Sequence, residues 1–381
     1  MVEPAALGGR TLSDTALGWA TAAIRALPAY RGPTTFADYP DPARRPRLIH
    51  LNECPYPPSP RVAEAIAAAT RDLNRYPDIH GRRLAAAIGA ANDVPAGRIV
   101  FGCGSDELIH LTTEIALAAG DHAVIPAPSF PRYAVSSRLA GATPIRVGLD
   151  QGGACDADAL LAAITPRTRL VVACTPNPPS GGMMDAAAVE RLAQGVPEDV
   201  LLLLDEAYYE FGRHAGGPDT LAILKRRRGP WLSTRTFSKA YALAALRVGY
   251  AICGGDDVAE ALRRAKLQFN VPTLSQAAAE AAFADQAYLQ LLLDRIAGER
   301  TRLAAGLAAL GLSVLPSAAN FVSCALPGPA APAMAAMEKH GILVRDWRDP
   351  EHLVELRIGI GVPDDTDATL AALGAWLKGN A

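Results

Sequence analysis

The stretch "VLLLLDEAYYEF", Val200 to Phe211, runs five apolar residues together before its first charge. A strand with one wet face alternates apolar and polar residues. An unbroken apolar run suits a strand buried on both faces, and such strands belong to parallel sheets covered by helices. Comparable runs flank it: "RIVFG", "HAVIP", "RLVVAC", "WLSTRT" and "GYAIC", all between residues 98 and 253. Each ends in turn residues, and helical patterns separate them. Strands alternating with helices predict an α/β fold on a largely parallel sheet flanked by helices.

The pattern changes toward both ends of the chain. Residues 1–50 join a weakly amphipathic segment, "ALGWATAAIRALPAY", to a Pro- and Arg-rich stretch, and are expected to form an arm. Residues 51–272 are expected to form the large domain. Within it "SPRVAEAIAAATRDL" opens as a helix, with Ser59 as cap and Pro60 at the first helical position. Residues 273–381 hold long Ala- and Leu-rich helices, then the short strands "SVLPS", "NFVSCAL", "GILVRD" and "LVELRIGIG", then a last helix. That order predicts a smaller α+β C-terminal domain. Two domains also suit 381 residues, which is long for a single core.

Composition narrows the function classes. The chain has 37 basic and 39 acidic residues, a formal charge of −2, so nothing favours nucleic acid or an anionic membrane as partner. Its longest strongly apolar run, Val200–Leu204, is too short to span a bilayer. Arg10, Asp14 and Arg25 interrupt any apolar leader. Six scattered cysteines, with no C-x-x-C pair, are expected to be reduced thiols of a cytoplasmic protein. The seven histidines lack metal-ligand spacing, so no metal is expected.

Ligands of open α/β sheets sit beyond the carboxyl ends of the strands, and four strand ends here carry polar groups. In "IVFGCGSDELIHL" a glycine turn at Gly104 leads into a helix near Ser105. Free N–H groups and the helix dipole make such a start an anion site; Ser105 as a plain cap is the rival explanation. Asp205 closes the apolar strand above. A carboxylate there is costly unless it meets a cation, such as a protonated heterocycle, or caps the next helix. Tyr208 follows one turn later. The third end, "TPNPPSGG" from Thr175, is only a loop signal in itself, an extended or cis-containing turn. The fourth is "TRTFSKAYALAALRVGY", Thr234–Tyr250, with Lys239 just beyond a strand and Arg247 eight residues on. A lone lysine is by default a surface lysine. One buried beside an arginine has a lowered pKa and can form a Schiff base. Together these groups make an anion cup, a carboxylate for a pyridinium, a phenol and a nucleophilic amine, which is the inventory for holding pyridoxal phosphate.

In these motifs the sequence resembles the aminotransferases of the aspartate aminotransferase fold, pyridoxal phosphate (PLP) fold type I, and within them the histidinol-phosphate aminotransferase branch. The ordered pieces are "LNECPYPPSP", "LNRYPD", "GCGSDELI", "PAPSFPRY", "TPNPPSG", "LDEAYYEF", "TFSKAYALAALRVGY", "PSAANFV", "GILVRD" and "LRIGIG", from Leu51 to Gly361. The resemblance implies that Lys239 bonds the cofactor and shuttles the proton at Cα. It implies that Asp205 partners the pyridine nitrogen and Tyr208 the phenolic oxygen. Gly104, Ser105, Asp106, Ser238 and Arg247 would form the phosphate cup, Phe130 would stack on the ring, and Tyr76 would reach the neighbouring subunit's phosphate. Arg357, with Arg345, Asn320 and Tyr30, would meet the substrate. A homodimer with shared active sites, and an amino donor with a 2-oxo acid acceptor, follow from the same resemblance.

Two positions depart from the pattern. Pro178 stands where the family usually has an asparagine that bonds the phenolic oxygen, leaving Asn177 as the remaining candidate. Cys54 replaces another usual asparagine. Two further readings stay open. A PLP-dependent decarboxylase, lyase or oxidase, such as a threonine-phosphate decarboxylase, would hold the cofactor with the same residues. A non-catalytic PLP-binding protein is opposed by the intact lysine, aspartate and arginine set.

Overall fold

The computed structural model describes residues 17–27, 32–39, 41, 43, 45–349 and 351–379. Seven strands form the main sheet: β1 Ile99–Cys103, β2 His122–Pro126, β3 Thr143–Val147, β4 Thr168–Cys174, β5 Leu201–Asp205, β6 Trp231–Thr236 and β7 Val248–Cys253. Their spatial order is β1-β7-β6-β5-β4-β2-β3. All neighbours pair in parallel except β7, which runs antiparallel to both β1 and β6. The apolar runs are buried along their whole length; Leu202, Leu203 and Leu204 are each at most 1 % exposed. At about 25 cal/mol per Å² of buried apolar surface, such burial is a strong stabilising contribution.

The strand β3, "TPIRV", has no counterpart among the runs read from the sequence. It is an edge strand, mostly exposed or half-buried, so it carries no unbroken apolar signature. The expected long Ala- and Leu-rich helices are Thr273–Ala284 and Gln286–Ala309. Asp285 breaks them: its side chain accepts from the Tyr288 N–H and from Ser59 Oγ at 2.6 Å. The first packs on the helices Pro60–Ala69 and Arg82–Asn92; the second packs on the small sheet. Ser59 caps its helix as expected, accepting from the Arg61 N–H, with Pro60 at the first position.

The small sheet has strands β8 Ser313–Val314, β9 Phe321–Ala325, β10 Arg345–Asp346 and β11 Glu355–Gly359, all antiparallel, in the order β10-β11-β9-β8. Arg47–Leu48 pairs in parallel with Ile342–Leu343 and so ties the segment before the large sheet to this end of the molecule. No helix among the described residues is long and apolar enough to cross a membrane. All six cysteines are free thiols.

Candidate active site

The carboxyl ends of β1, β5 and β6 open into one cavity of about 660 Å³. Its wall includes Ser105, Asp106, Phe130, Asp205, Tyr208, Ser238, Lys239, Arg247, Arg345 and Arg357. Ten of the side chains expected to act together are therefore neighbours, although they span more than 250 positions of sequence.

Asp205 ends β5 and is buried. Its Oδ2 accepts from the Tyr133 hydroxyl at 2.5 Å, and its Oδ1 from Thr234 Oγ1 and the Ala207 N–H, both at 3.1 Å. Burial pushes its pKa up to about 6, against the downward pull of those donors. A cationic partner in the cavity would restore the ionised form. Lys239 lies across the same space, with Nζ donating to the Leu51 carbonyl at 3.0 Å. Burial, with Arg357 and Arg247 adding to it and Glu53 opposing, pulls its pKa down to about 8. Tyr208 receives a hydrogen bond on its hydroxyl from Asn52 Nδ2 at 2.9 Å, and burial raises its pKa to about 12.

The expected anion cup is a place of close backbone approach. The helix begins at Gly104, so Ser105 is not its cap but offers one of the free first-turn N–H groups. Gly249 of β7 passes so near that a Cβ there would sit 2.4 Å from the Ser105 nitrogen. Gly104 has φ +75°, and a Cβ on it would lie 2.6 Å from Arg247 Nη2. Arg247 itself is left-handed at φ +53° and reaches Ser238 Oγ at 3.4 Å. Gly104→Ala is expected to cost about 1–2 kcal/mol in a thermal melt, from the left-handed backbone. It is also expected to weaken inorganic phosphate binding roughly tenfold by displacing Arg247. Unchanged phosphate binding would count against the cup.

Several expected residues stand elsewhere. Asn177 does not reach the cavity: its amide donates to the Pro128 carbonyl and Ser180 Oγ, and its Oδ1 accepts from Ser129 Oγ at 2.5 Å. It is fully spent on holding two loops together, one with a cis Ala127–Pro128 peptide and the other with cis Thr175–Pro176 and Pro178–Pro179 peptides. Asn320 is likewise a layer behind, donating to the Asn52 carbonyl at 2.9 Å. It positions the segment 52–53 instead of lining the pocket. The Asp106 carboxylate is paired with Arg132 at 2.8 and 2.9 Å, so only the rest of that residue faces the cup. Tyr76 is 80 % exposed, its ring stacked on Phe269 at 4.4 Å, away from this chain's cavity. Tyr30 lies outside the described residues.

The structure adds Asn52 and Tyr133, the donors to Tyr208 and Asp205. Both fall inside the quoted motifs. Tyr133 is one helical turn beyond Phe130, and the two rings meet edge to face at 5.9 Å. Asn52 adopts φ +54°, which asparagine tolerates better than most residues.

An antiparallel strand stands among parallel ones, and an amine and a carboxylate line one cavity beyond their ends. Similarity to known proteins gives this arrangement its class, the transaminases. The chain belongs to the class I and II aminotransferase family, whose model matches residues 49–373. It is 38 % identical over 366 residues to histidinol-phosphate aminotransferase 2 of Caulobacter vibrioides, covering 94 % of this chain and 95 % of that one. It is 39 % identical over 361 residues to the aromatic amino acid aminotransferase of Thermobifida fusca, covering 94 % and 97 %. Among solved structures, histidinol-phosphate aminotransferase from Sinorhizobium meliloti, in complex with pyridoxal-5'-phosphate, superimposes with a TM-score of 0.86 at 30 % identity, covering 95 % of this chain and 98 % of that one.

Proposed function

We propose that the protein uses pyridoxal phosphate to move an amino group from a donor bearing a carboxylate or phosphate to a 2-oxo acid. The observation that carries this is the shared cavity of Lys239 and Asp205, an amine with its pKa drawn down to about 8 and a buried carboxylate. The remaining residues fit the cofactor. Asp205 would hold its ring nitrogen, Tyr208 with Asn52 behind it the phenolic oxygen, and Phe130 a ring face. Ser105, Ser238 and Arg247 would hold the phosphate, with Gly104 and Gly249 leaving the room it needs. When bound, the cofactor supplies an aldehyde for the amino group and a ring that draws electrons from the substrate Cα.

The chain's own contribution is proton handling and orientation. Near neutral pH a usable fraction of Lys239 is uncharged, so Nζ can take the Cα proton and return it one atom away. Asp205 keeps a proton on the opposite side of the site by staying ionised against a cation. Arg357 anchors the donor's anionic group. Its Nη2 donates to the His50 carbonyl at 2.5 Å, and its Nε is buried without a partner among the described residues. A clear hydrogen-bonding deficit of this kind suits an incoming carboxylate or phosphate. The relatives' names point to histidinol phosphate and aromatic amino acids as donors. We also propose a homodimer, in which exposed Tyr76 serves the neighbouring site beside exposed Leu73 and Leu267.

A half-reaction screen tests the function. The loaded protein, given single amino donors and no acceptor, is expected to lose the aldehyde absorbance as the cofactor passes to its amine form. Carbon dioxide release or ammonia release without that change would favour a decarboxylase or a lyase instead.

A further inference from the structure

Three arginines crowd the substrate side of the cavity, and sequence motifs pointed to only two of them. Arg345 and Arg357 are direct partners across the antiparallel pair β10–β11. Like charges placed opposite each other in a sheet are destabilising. The third, Arg348, lines the same cavity. Burial first, then Arg348 and Arg357, pulls the pKa of Arg345 down to about 10, and Asp346 is the carboxylate that opposes this. Three guanidinium groups face two acidic residues of the cavity lining, Asp346 and Glu53, so this side keeps a surplus of positive charge.

Arg348 is also held at a conformational cost. Its φ is +52°, a left-handed backbone that costs a residue with a Cβ about 1–2 kcal/mol. Both neighbours in the chain are fixed. Trp347 is buried, and its Nε1 donates to Ser323 Oγ at 3.1 Å. Ser323 is in turn the cross-strand partner of Arg357. Asp349 is buried and ion-paired with Arg146 on β3, so the loop from the small sheet is clamped onto the edge of the large one. With both flanks pinned, the left-handed residue between them presents its side chain at the cavity wall. No hydrogen bond or ion pair holds the Arg348 guanidinium among the described residues.

We propose that Arg348 selects substrates carrying two negative charges, a phosphate monoester or a dicarboxylate, by completing an anion cradle with Arg345 and Arg357. It deepens the transamination proposal and rests on it only in calling the ligand a substrate. A monoanion is satisfied by the Arg345–Arg357 pair; the second charge is what engages Arg348. Charge-assisted bonds of this kind are about twice as strong as neutral ones, and their loss falls on binding more than on chemistry.

The test is calorimetric titration of the PLP-loaded protein with three unreactive anions: succinate, phenyl phosphate and 3-phenylpropionate. Arg348→Gln is expected to weaken succinate and phenyl phosphate at least tenfold and 3-phenylpropionate less than twofold. Arg348→Lys should recover part of the loss, since it keeps the charge without the fork. Weakening of only phenyl phosphate, or only succinate, would identify the anion and support the proposal. Equal weakening of all three, no weakening, or no binding of either dianion by the wild type would overturn it. The half-reaction screen is read separately: a protein that binds dianions through Arg348 but exchanges no amino group defeats the transamination reading alone. Should the protein take up no cofactor, the same titrations in an Arg247→Gln background, where the cup no longer competes for anions, still decide the role of Arg348.

Discussion

Replacement of Lys239 by alanine is expected to lower turnover by at least about 10⁴-fold while leaving the fold intact. On the proposed function the side chain would be both the covalent anchor for the cofactor and the base nearest the reacting carbon, a pair of roles that needs an amine at this place. Among the described residues its hydrogen bond is to the Leu51 carbonyl, which solvent can satisfy in the variant. A second result follows from its lowered pKa. Only the uncharged amine attacks an aldehyde, so cofactor uptake by the cofactor-free protein should speed up with rising pH and reach half its plateau near pH 8. An ordinary lysine would put that midpoint near 10.4. Stopped-flow absorbance of cofactor uptake between pH 6 and 10 measures it; a midpoint near 10 would show that burial does not govern this amine.

The second large effect concerns Asp205, where activity and stability should move in opposite directions. Asp205→Asn is expected to reduce turnover by about 10²–10⁴-fold, because a neutral amide cannot hold a protonated ring nitrogen. Without cofactor the same change should stabilise the protein at pH 8. The folded-state pKa of about 6 lies above the ordinary 3.8, so the folded protein binds this proton more tightly than the unfolded chain. The stability that proton contributes is present below about pH 4 and is lost as pH rises to 6 and beyond. Above pH 6 a buried carboxylate remains that the cofactor-free protein must keep ionised. Removing it should raise stability by an amount on the order of 1–3 kcal/mol at pH 8, seen as a higher Tm. The Tyr133 hydroxyl, which now donates to Oδ2, can accept from the new amide instead. A lower Tm in the variant, with no cofactor present, would mean that the three donors to Asp205 outweigh its burial. The pattern fits the usual conflict between a site prepared for its ligand and a stable empty fold.

How far these residues could be read from the chain depends on the kind of signal each one carries. Six of the seven strands of the large sheet were legible because burial on both faces leaves an apolar run. The seventh, β3, was not, since Pro144 and Arg146 lie on an exposed edge where burial makes no demand. The antiparallel direction of β7 was hidden for a related reason: an apolar run records burial, not orientation. Asp205, Tyr208, Lys239 and Arg247 stood out as polar groups where apolar strands end. Asn177 and Asn320 look just as polar in sequence, yet their amides bond loop carbonyls and do not line the cavity. An amide written in one letter does not say which of its neighbours will claim it.

Local chemistry in the chain alone was enough to establish the α/β architecture, a helix starting within a residue of Gly104, and an amine and a carboxylate placed at strand ends. These depend on residue type and on neighbours a few positions away, where hydrophobic burial and backbone geometry act directly. Folding alone brought Asn52 to Tyr208, Tyr133 to Asp205, and Arg348 beside a pair of arginines facing each other across two strands. The first two meetings join positions 156 and 72 residues apart, while the arginines are near in sequence but meet only through a hairpin-like return of the chain. They come from strand register and loop clamping, which the order of the letters does not display.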